Sequence, residues 1–377
     1  MGVLSGVRIV EMAGIGPAPF CGMLFADMGA DVWLVERNAA KSGDPLDLGQ
    51  SNILNRGKKS IALDLKDPAA IAAVLRLIDR ADGLIEGMRP GVMERLGLGP
   101  APCLELNPRL VYGRMTGWGQ EGPLSQTAGH DINYCALSGA LWFAGAPGTP
   151  PMPPPTLVGD LGGGALYLAM GMLAGILSAR SHGRGQVVDA AIVDGSANMM
   201  NLLLSLHAAG HQPFERGQGL LDGPHWYGAY ACADGDFVTV GALEPQFYAL
   251  LLAQLGLQQD PAFQRPYDPT TWHLLRQRLT EIFASQPRQH WMDRLEGSDA
   301  CFAPVLTPEQ ARLHPHMAAR GVYQQPNGVL QAAPAPRFSV TPSGTAGAVP
   351  QRGEQGTDLL RAAGLSAAEI ASLLGKN

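Results

Sequence analysis

The sequence predicts an α/β protein with a large, doubly wound, Rossmann-like domain, built on a mainly parallel sheet, and a smaller α/β domain. Three observations lead to this prediction. The chain has 377 residues, enough to bury a large core and to form two domains. Its first third alternates between strand-like and helix-like segments, the pattern that builds a parallel sheet. A stretch rich in Gly, His and Pro at 210–228 then separates this part from a second, shorter alternation.

The large domain opens with a β-α-β pattern. A strand at 7–12 leads through a Gly- and Pro-rich loop at 13–19 into a helix that ends near Met28, and a second strand follows at 31–36. The loop resembles a dinucleotide-binding fingerprint only superficially, because Pro19 occupies the position of the third glycine, where helix and strand must pack closely. We therefore predict no nicotinamide site there.

The later elements of this domain follow from the same signals. Asp67 and Pro68 start a helix, because Pro is tolerated in a first turn and apolar residues then recur at helical spacing. The further predicted strands cover 61–66, 83–86, 110–115 and 185–191, and the predicted helices cover 67–80, a short turn that carries Arg95, a buried helix at 161–179 and a helix at 194–209. In such a sheet, ligands gather at the carboxyl ends of the strands.

The domain boundaries follow from the composition. We expect the large domain to cover 1–209 and the returning segment 325–377, and the small domain to cover 229–315, with linkers at 210–228 and 316–352. The small domain should hold strands near Tyr230 and Val238 and three helices, at 246–255, 270–285 and 289–295. In the last helix, Ser366 and Glu369 have the spacing of a capping box.

Composition and charge exclude several classes of function. A net charge of −6 argues against nonspecific binding to nucleic acid or to a membrane surface. Five scattered cysteines without a CxxC pair and the lack of a secretory signal predict a cytoplasmic protein with reduced thiols. The uncharged segment 161–179 approaches the length of a membrane span but holds five glycines, which favours a buried helix. Lys58, Lys59 and Lys66 suggest a local anion site or, alternatively, a solvated turn.

Three side chains are candidates for acid–base chemistry. His130 stands beside a carboxylate in the run 129–134, and imidazole titrates near neutral pH, although a lone His is more often a core residue. Asp160 precedes three glycines at a helix start, where it could also serve only as an N-cap. Glu244 precedes Pro245 after an apolar strand, and its alternative is a solvated loop acid.

Four longer motifs decide between these alternatives. They occur in order along the chain: Gly-Trp-Gly-Gln at 117–120, Gly-His-Asp-Ile-Asn-Tyr at 129–134, Leu-Val-Gly-Asp at 157–160 and Glu-Pro-Gln-Phe-Tyr at 244–248. With them, the chain from residue 4 to about 338 resembles the 2-methylacyl-CoA racemases, within the CaiB/BaiF group of family III CoA-transferases. The resemblance implies an interlocked homodimer and an acyl-CoA thioester as substrate, with no metal and no separate cofactor.

The resemblance also implies roles for residues. His130 and Asp160 would be the two acid/bases of a racemase, and Glu244, from the small domain of the partner chain, would orient His130. The remaining expected contacts to substrate and CoA are Arg37, Leu63, Asp64, Leu65, Lys66, Gly87, Met88, Arg89, Arg95, Gly129, Asp131, Ile132, Asn133 and Tyr134. The phosphates of CoA suit Arg side chains and exposed backbone amides, and the apolar members of this set would flank the adenine.

Two alternative functions remain open, and the sequence differs from the resembled family at one position. In a CoA-transferase, Asp160 would instead act as the nucleophile that carries the acyl group and then CoA. A catalytically inactive CoA-binding protein is the second alternative, disfavoured by the three intact catalytic positions.

Thr156 stands where close relatives of the resembled family carry Asn, so the support of Asp160 would be less rigid. His207 and His211 lie four residues apart, but no third metal ligand is visible. The preferred acyl chain is left open.

Overall fold

The computed structural model describes residues 2–38, 48–342 and 346–375. The chain forms two compact units. The first unit comprises Met1–Leu141, Pro153–Met199 and Tyr323–Asn377, and the second comprises Trp142–Met152 and Met200–Val322. The predicted boundaries at 209 and 229 therefore both fall inside the second unit.

The first unit is built on a six-stranded parallel sheet, as the alternation predicted. Its strands are β1 (Arg8–Met12), β2 (Asp31–Glu36), β3 (Lys59–Ala62), β4 (Gly83–Glu86), β5 (Val111–Thr116) and β6 (Gln186–Ala191). Their order in the sheet is β3-β2-β1-β4-β5-β6. The order reverses between β1 and β4, and ligands of doubly wound folds bind at such a switch point.

Helices cover both faces of this sheet. Those of the first unit are α1 (Pro17–Asp27), α2 (Pro68–Ile78), α3 (Val92–Arg95), α4 (Pro100–Leu106), α5 (Asp131–Ser138), a π-helix (Leu157–Ala165), α6 (Leu166–His182), α7 (Ile192–Met199), α14 (Gly356–Ala362) and α15 (Ala367–Leu374). One core packs α2, α4, α14 and α15 against the sheet, around residues such as Leu77 and Leu360. The other packs α1 and α6 against the opposite face, around Phe25 and Met172. Two separate cores are the mark of the doubly wound fold.

Local signals explain the helix starts. Asp67 caps α2 by accepting the Ala69 N–H at 2.9 Å, with Pro68 in the first turn as predicted. The predicted capping box of the last helix is also confirmed, because Ser366 Oγ accepts the Glu369 N–H and Glu369 accepts the Ser366 N–H.

Two predicted elements were wrong in extent. The strand predicted at 61–66 ends at Ala62, because Asp64 Oδ1 accepts the Lys66 N–H at 3.0 Å and turns the chain into a loop. The helix predicted at 194–209 is two helices, α7 and α8 (Asn201–Ala208), and the break falls where the chain passes from the first unit to the second.

The predicted buried helix is buried on one side only. The π-helix and α6 are continuous over Leu157–His182, a stretch that could span a membrane by length and composition alone, as the core helix of a soluble protein also could. Six residues of α6 are buried, with Met172 and Ile176 in the core shared with α1. The opposite side exposes Leu166, Met170 and Leu177, at 51%, 60% and 69%.

The second unit has its own antiparallel sheet and core. The predicted strands near Tyr230 and Val238 and the three predicted helices are present. The unit contains α8, β7 (Tyr227–Ala231), β8 (Phe237–Gly241), α9 (Pro245–Leu255), α10 (Pro269–Phe283), α11 (Arg288–Leu295), β9 (Phe302–Val305), α12 (Pro308–Leu313) and α13 (Pro315–Ala319), with strand order β7-β8-β9. Trp226, Phe263 and Phe283 fill its core. The chain then returns to the first unit through the short hairpin β10 (Tyr323–Gln324) and β11 (Gln331–Ala332).

Candidate active site

The carboxyl edge of the parallel sheet gathers most of the predicted site segments. Arg37 follows β2, the loop 63–66 follows β3, the loop 87–89 follows β4 and the Gly-Trp-Gly-Gln motif follows β5. Parallel strands end at one edge, so the topology places at one edge segments that are far apart in sequence. The edge is therefore the place where a ligand would meet these loops.

His130 is the N-cap residue of α5. The contacts around it involve residues of two sequence motifs, 117–120 and 129–134. Asn133 Oδ1 accepts the His130 N–H at 3.1 Å, which is half of a capping box and fixes the backbone at the imidazole. The Tyr134 hydroxyl donates to the Gly129 carbonyl, and the Tyr134 ring lies edge-on to Trp118 with centroids 4.7 Å apart. A Cβ at Gly117 would lie 2.0 Å from Tyr134, so only glycine fits there. The His130 side chain itself is exposed.

Asp160 lies in the π-helix, and Asp131 ties it to α5. Asp131 Oδ1 accepts the N–H groups of both Gly159 and Asp160 at 2.8 Å. Asp131 is buried, and a Cβ at Gly159 would lie 2.6 Å from its oxygen, so this close approach requires the glycine. The two hydrogen bonds join the helix that begins after His130 to the turn that carries Asp160.

The half-buried carboxyl group of Asp160 has a perturbed acidity. Burial, and next the negative charge of Asp131, raise the pKa of Asp160 from 3.8 to about 6, while the nearby His130 opposes this rise. Asp160 and His130 are thus within electrostatic reach of each other. The loop after β1 borders the same place, because a Cβ at Gly16 would lie 3.6 Å from Asp160 Oδ2. A carboxyl group that titrates near pH 6 is suited to proton transfer in neutral solution.

The π-helix is held by close backbone packing. A Cβ at Gly195 in α7 would lie 1.8 Å from the Gly163 carbonyl oxygen, and a Cβ at Gly163 would lie 2.5 Å from Ser196 Oγ. Thr156, just before the π-helix, has φ 59°, an unfavourable backbone for a β-branched residue. Its side chain makes no capping hydrogen bond to the helix. π-helical turns are frequent at functional sites.

Glu244 lies in the second unit, at the N-cap position of α9. Its side chain is exposed and does not cap the helix, while its carbonyl oxygen accepts the Tyr248 N–H at 3.0 Å. Tyr248, the last residue of the Glu-Pro-Gln-Phe-Tyr motif, is buried and donates its hydroxyl to the Phe263 carbonyl at 3.0 Å. The motif therefore anchors α9 in the core of the second unit and leaves the Glu244 carboxylate exposed.

The predicted CoA contacts differ in accessibility. Arg37, Lys66, Arg89 and Arg95 are exposed at the carboxyl edge. Leu63 is 1% exposed and belongs to the core, so its side chain cannot flank an adenine and only its backbone could meet a ligand.

The suggested anion site at the lysine cluster is wrong for Lys58. Its ammonium group is buried and bonds Glu11 Oε1 at 2.7 Å and the Pro19 carbonyl at 3.0 Å. Burial raises the pKa of Glu11 to about 7 and lowers that of Lys58, with each partner opposing the shift of the other. Lys59 pairs with Asp31 at 2.7 Å. Both lysines therefore have partners within the fold.

The fold and this edge define a doubly wound α/β protein that places an imidazole and a carboxylate of raised pKa beside arginine-bearing loops. Residues 4–356 match the sequence model of CoA-transferase family III, and the chain belongs to that family.

Known proteins agree with this assignment. The chain is 42% identical over 374 residues to alpha-methylacyl-CoA racemase of Mus musculus, across 98% of this chain and 96% of that protein. It is 41% identical over 321 residues to alpha-methylacyl-CoA racemase of Homo sapiens, across 85% and 82%. A crystal structure of a CAIB/BAIF family protein from Brucella suis has the same fold, with a TM-score of 0.81 over 96% of this chain and 99% of that one, at 24% identity. The predicted family and fold class are thus confirmed.

Proposed function

We propose that this protein is an isomerase that interconverts the (R)- and (S)-forms of 2-methylacyl-CoA thioesters. The observation that carries the proposal is that Asp160, whose carboxyl pKa is raised to about 6, lies within electrostatic reach of His130 in a chain 42% identical to a racemase over nearly its whole length. A lone nucleophile would not need a second acid/base within electrostatic reach.

The chemistry requires a base on each face of the substrate. The α-proton of a thioester is a weak acid, so its removal at neutral pH needs a placed base and a stabilised enolate. One of the pair, His130 or Asp160, would remove the proton as the other returns one to the opposite face of the planar enolate. Because Asp160 titrates near pH 6, it can hold or release a proton at little cost in neutral solution.

The first turn of α5 is our candidate for holding the enolate oxygen. The N–H groups of Gly159 and Asp160, the other candidates, already donate to Asp131. The N–H groups of Asp131 and Ile132 lie in the first turn of α5, where the backbone dipoles favour negative charge. The reaction uses no metal and no redox cofactor, and CoA enters as part of the substrate.

The substrate's CoA moiety would lie along the carboxyl edge. Its phosphates would meet Arg37, Arg89 and Arg95, which are exposed there, and the backbone amides of the loop 63–66. We expect the acyl chain to extend from this edge towards His130 and Asp160.

We further propose that the working form is an interlocked homodimer, in which Glu244 of one chain orients His130 of its partner. Support comes from the apolar side chains that the first unit leaves exposed on α5, α6 and α7, such as Leu137 at 62% and Leu177 at 69%. An apolar surface of this kind on a chain of mild charge is typical of a protein interface, and a second copy is the occupant that the family resemblance implies.

Deuterium exchange tests the racemase against its alternative. The protein is incubated with (S)-2-methylacyl-CoA in deuterated water, without any acceptor acid. A racemase incorporates α-deuterium and yields both enantiomers. A CoA-transferase acting through Asp160 leaves the α-proton and the configuration unchanged, and it transfers CoA once a carboxylic acid acceptor is added. That result would replace the proposal by the alternative.

Complementation tests the shared site. A His130→Ala chain and a Glu244→Ala chain are mixed, refolded and assayed. If each site takes His130 and Glu244 from different chains, a mixed dimer has one site with both lesions and one intact site, so activity returns to a fraction of wild type. If each site lies within one chain, every site keeps a lesion and no activity returns.

A further inference from the structure

A cluster of three charged side chains lies beneath the carboxyl edge, between β4 and α3. Arg114 on β5 donates from Nε to Glu86 Oε1 at 2.9 Å. It also donates from Nη1 to Glu94 Oε1 at 2.8 Å and from Nη2 to Glu94 Oε2 at 3.3 Å. Glu86 is fully buried and Arg114 is 7% exposed. We call this set the Arg114 cluster. Neither His130 nor Asp160 belongs to this cluster.

Glu86 connects the cluster to the loop that follows β4. Glu86 and Arg114 are direct partners in the register of β4 and β5, so the pair is built into the sheet. The second oxygen, Oε2, accepts the Met88 N–H at 2.7 Å. Both oxygens of this buried carboxylate are therefore engaged, one by the guanidinium group and one by the loop that carries Arg89.

Glu94 connects the cluster to α3. This helix has only four residues, and glycines with φ 84° and 73° stand on either side of it, at Gly91 and Gly97. A helix of one turn is not stable without outside contacts, because nucleation fixes several residues for each hydrogen bond gained. Its anchors are the buried Met93 and the two-pronged contact from Arg114 to Glu94.

The two anchored segments carry the two exposed arginines of this part of the edge. Arg89 directly follows Met88, whose N–H donates to Glu86, and Arg95 directly follows Glu94. Neither the loop nor the single turn of α3 would hold these side chains in place by itself. Arg114 is thus linked to the loop through Glu86 and to α3 through Glu94, and it is itself too buried to contact a ligand.

We propose that Arg114 is a positioning residue for the CoA moiety: through Glu86 and Glu94 it sets the loop 87–91 and α3 so that Arg89 and Arg95 face the phosphates of the substrate together. This inference rests on the proposed function, because that function supplies the CoA thioester. It predicts an effect on the affinity for CoA and little effect on proton transfer once substrate is bound.

Two conservative variants test the proposal. Arg114→Lys keeps the positive charge but loses the planar fork that bonds two carboxylates at once. Glu94→Gln keeps the shape and removes the charge of a side chain that is 45% exposed, so it tests the same link with little risk to folding. We expect Arg114→Lys to weaken binding of free CoA about tenfold and Glu94→Gln about threefold to tenfold, the range for the net contribution of one ordinary hydrogen bond. The kcat of α-proton exchange should stay within about twofold.

The chain offers a matched control. Arg56 is also buried and makes a two-pronged contact, to Asp27, with one arm at 2.5 Å and the other at 3.1 Å. Arg56→Lys should lower the stability as Arg114→Lys does, while leaving the affinity for CoA unchanged. An equal loss of CoA affinity in both variants would show a general effect of buried arginines and overturn the proposal.

Non-additivity gives the sharper readout. In a chain that already carries Arg89→Ala and Arg95→Ala, adding Arg114→Lys should change the affinity for CoA by less than about twofold, because its targets are gone. Calorimetric titration with free CoA measures the four proteins of this cycle: wild type, Arg114→Lys, the double variant Arg89→Ala/Arg95→Ala and the triple variant. A tenfold effect that persists in this background overturns the proposal, as does a wild-type affinity in Glu94→Gln.

Failure of the inference differs from failure of the proposed function. If the protein binds CoA and the variants weaken binding as expected, but no α-deuterium is incorporated, the racemase assignment fails and the positioning role stands. If wild type incorporates deuterium and the variants bind CoA as wild type does, the positioning role fails alone. A wild-type protein that does not bind CoA overturns the positioning role as well.

Discussion

Replacing Asp160 by Asn should make the protein more stable at alkaline pH while destroying its activity. The substitution keeps the shape of the side chain and removes a carboxylate that the fold holds partly out of water. The folded-state pKa of about 6 lies above the ordinary 3.8, so the ionised form is the one that the fold disfavours. The cost of that ionisation is complete above about pH 6 and absent below the unfolded-state pKa, and wild type therefore loses relative stability as the pH rises through this window.

The size of the effect follows from the same two values. A difference of about two pH units corresponds to about 3 kcal/mol at 1.36 kcal/mol per unit. Asp160 is only half-buried, and screening by water reduces this to about 1–2 kcal/mol. We expect the free energy of unfolding of Asp160→Asn to exceed that of wild type by this amount at about pH 8, and the difference to shrink towards zero near pH 4.

Equilibrium unfolding in urea at fixed protein concentration measures the difference, since an oligomer's stability depends on concentration. Asp79→Asn is the control, because Asp79 is exposed and its exchange should change stability by less than about 0.5 kcal/mol at either pH. An Asp160→Asn protein that is less stable than wild type at pH 8, or a difference that does not fall with pH, would refute the account of the Asp160 site.

Three further predictions concern Asp131, Gly163 and Arg37. Asp131→Asn keeps an oxygen to accept the two N–H groups but removes a negative charge that raises the pKa of Asp160, so the acid limb of the pH profile of α-proton exchange should move to lower pH. Gly163→Ala should lower the free energy of unfolding by about 1–3 kcal/mol, measured in urea, because its Cβ would lie 2.5 Å from Ser196 Oγ. Arg37→Ala should weaken binding of CoA about tenfold more than binding of dephospho-CoA if its partner is the 3′-phosphate, and equal losses in calorimetry would place Arg37 elsewhere.

Much of the first unit could be predicted because its signals are local. The strands at 31–36 and 83–86 were predicted to the residue, since each is a short apolar run between turn residues. The order of elements then implies a parallel sheet, and the sheet implies that loops after β2, β3 and β4 share one edge. Nothing beyond neighbouring residues is needed for these steps.

The rest depends on contacts between residues far apart in sequence. Asp131 looks like a first-turn acid of α5, and only the fold shows that it accepts N–H groups 28 and 29 residues away. Lys58 reads as a surface charge until Glu11, 47 residues earlier, is found beside it in the core. The π-helix leaves no distinct pattern either, and the close approach of Gly195 in α7 to the Gly163 carbonyl is visible only in the fold.

The Arg114 cluster was missed for the same reason. Glu86 is the last residue of β4 and Arg114 lies within the adjacent strand β5, 28 residues later in sequence, and Glu94 belongs to a helix of one turn. One signal was available: a Glu ends one apolar strand and an Arg stands inside the next strand, and a buried charge in such a position needs a partner.

The central claim is that His130 and Asp160 serve opposite faces of one enolate, and exchange without inversion tests it most directly. His130→Ala and Asp160→Ala are each incubated in deuterated water with (R)- and, separately, with (S)-2-methylacyl-CoA. Racemisation should fall by a factor on the order of 10² or more in both variants. The base that remains should still exchange the α-proton of one enantiomer with retention of configuration, and the two variants should retain opposite enantiomers. Small, equal losses in both variants, or retention of the same enantiomer by both, would contradict the two-base account.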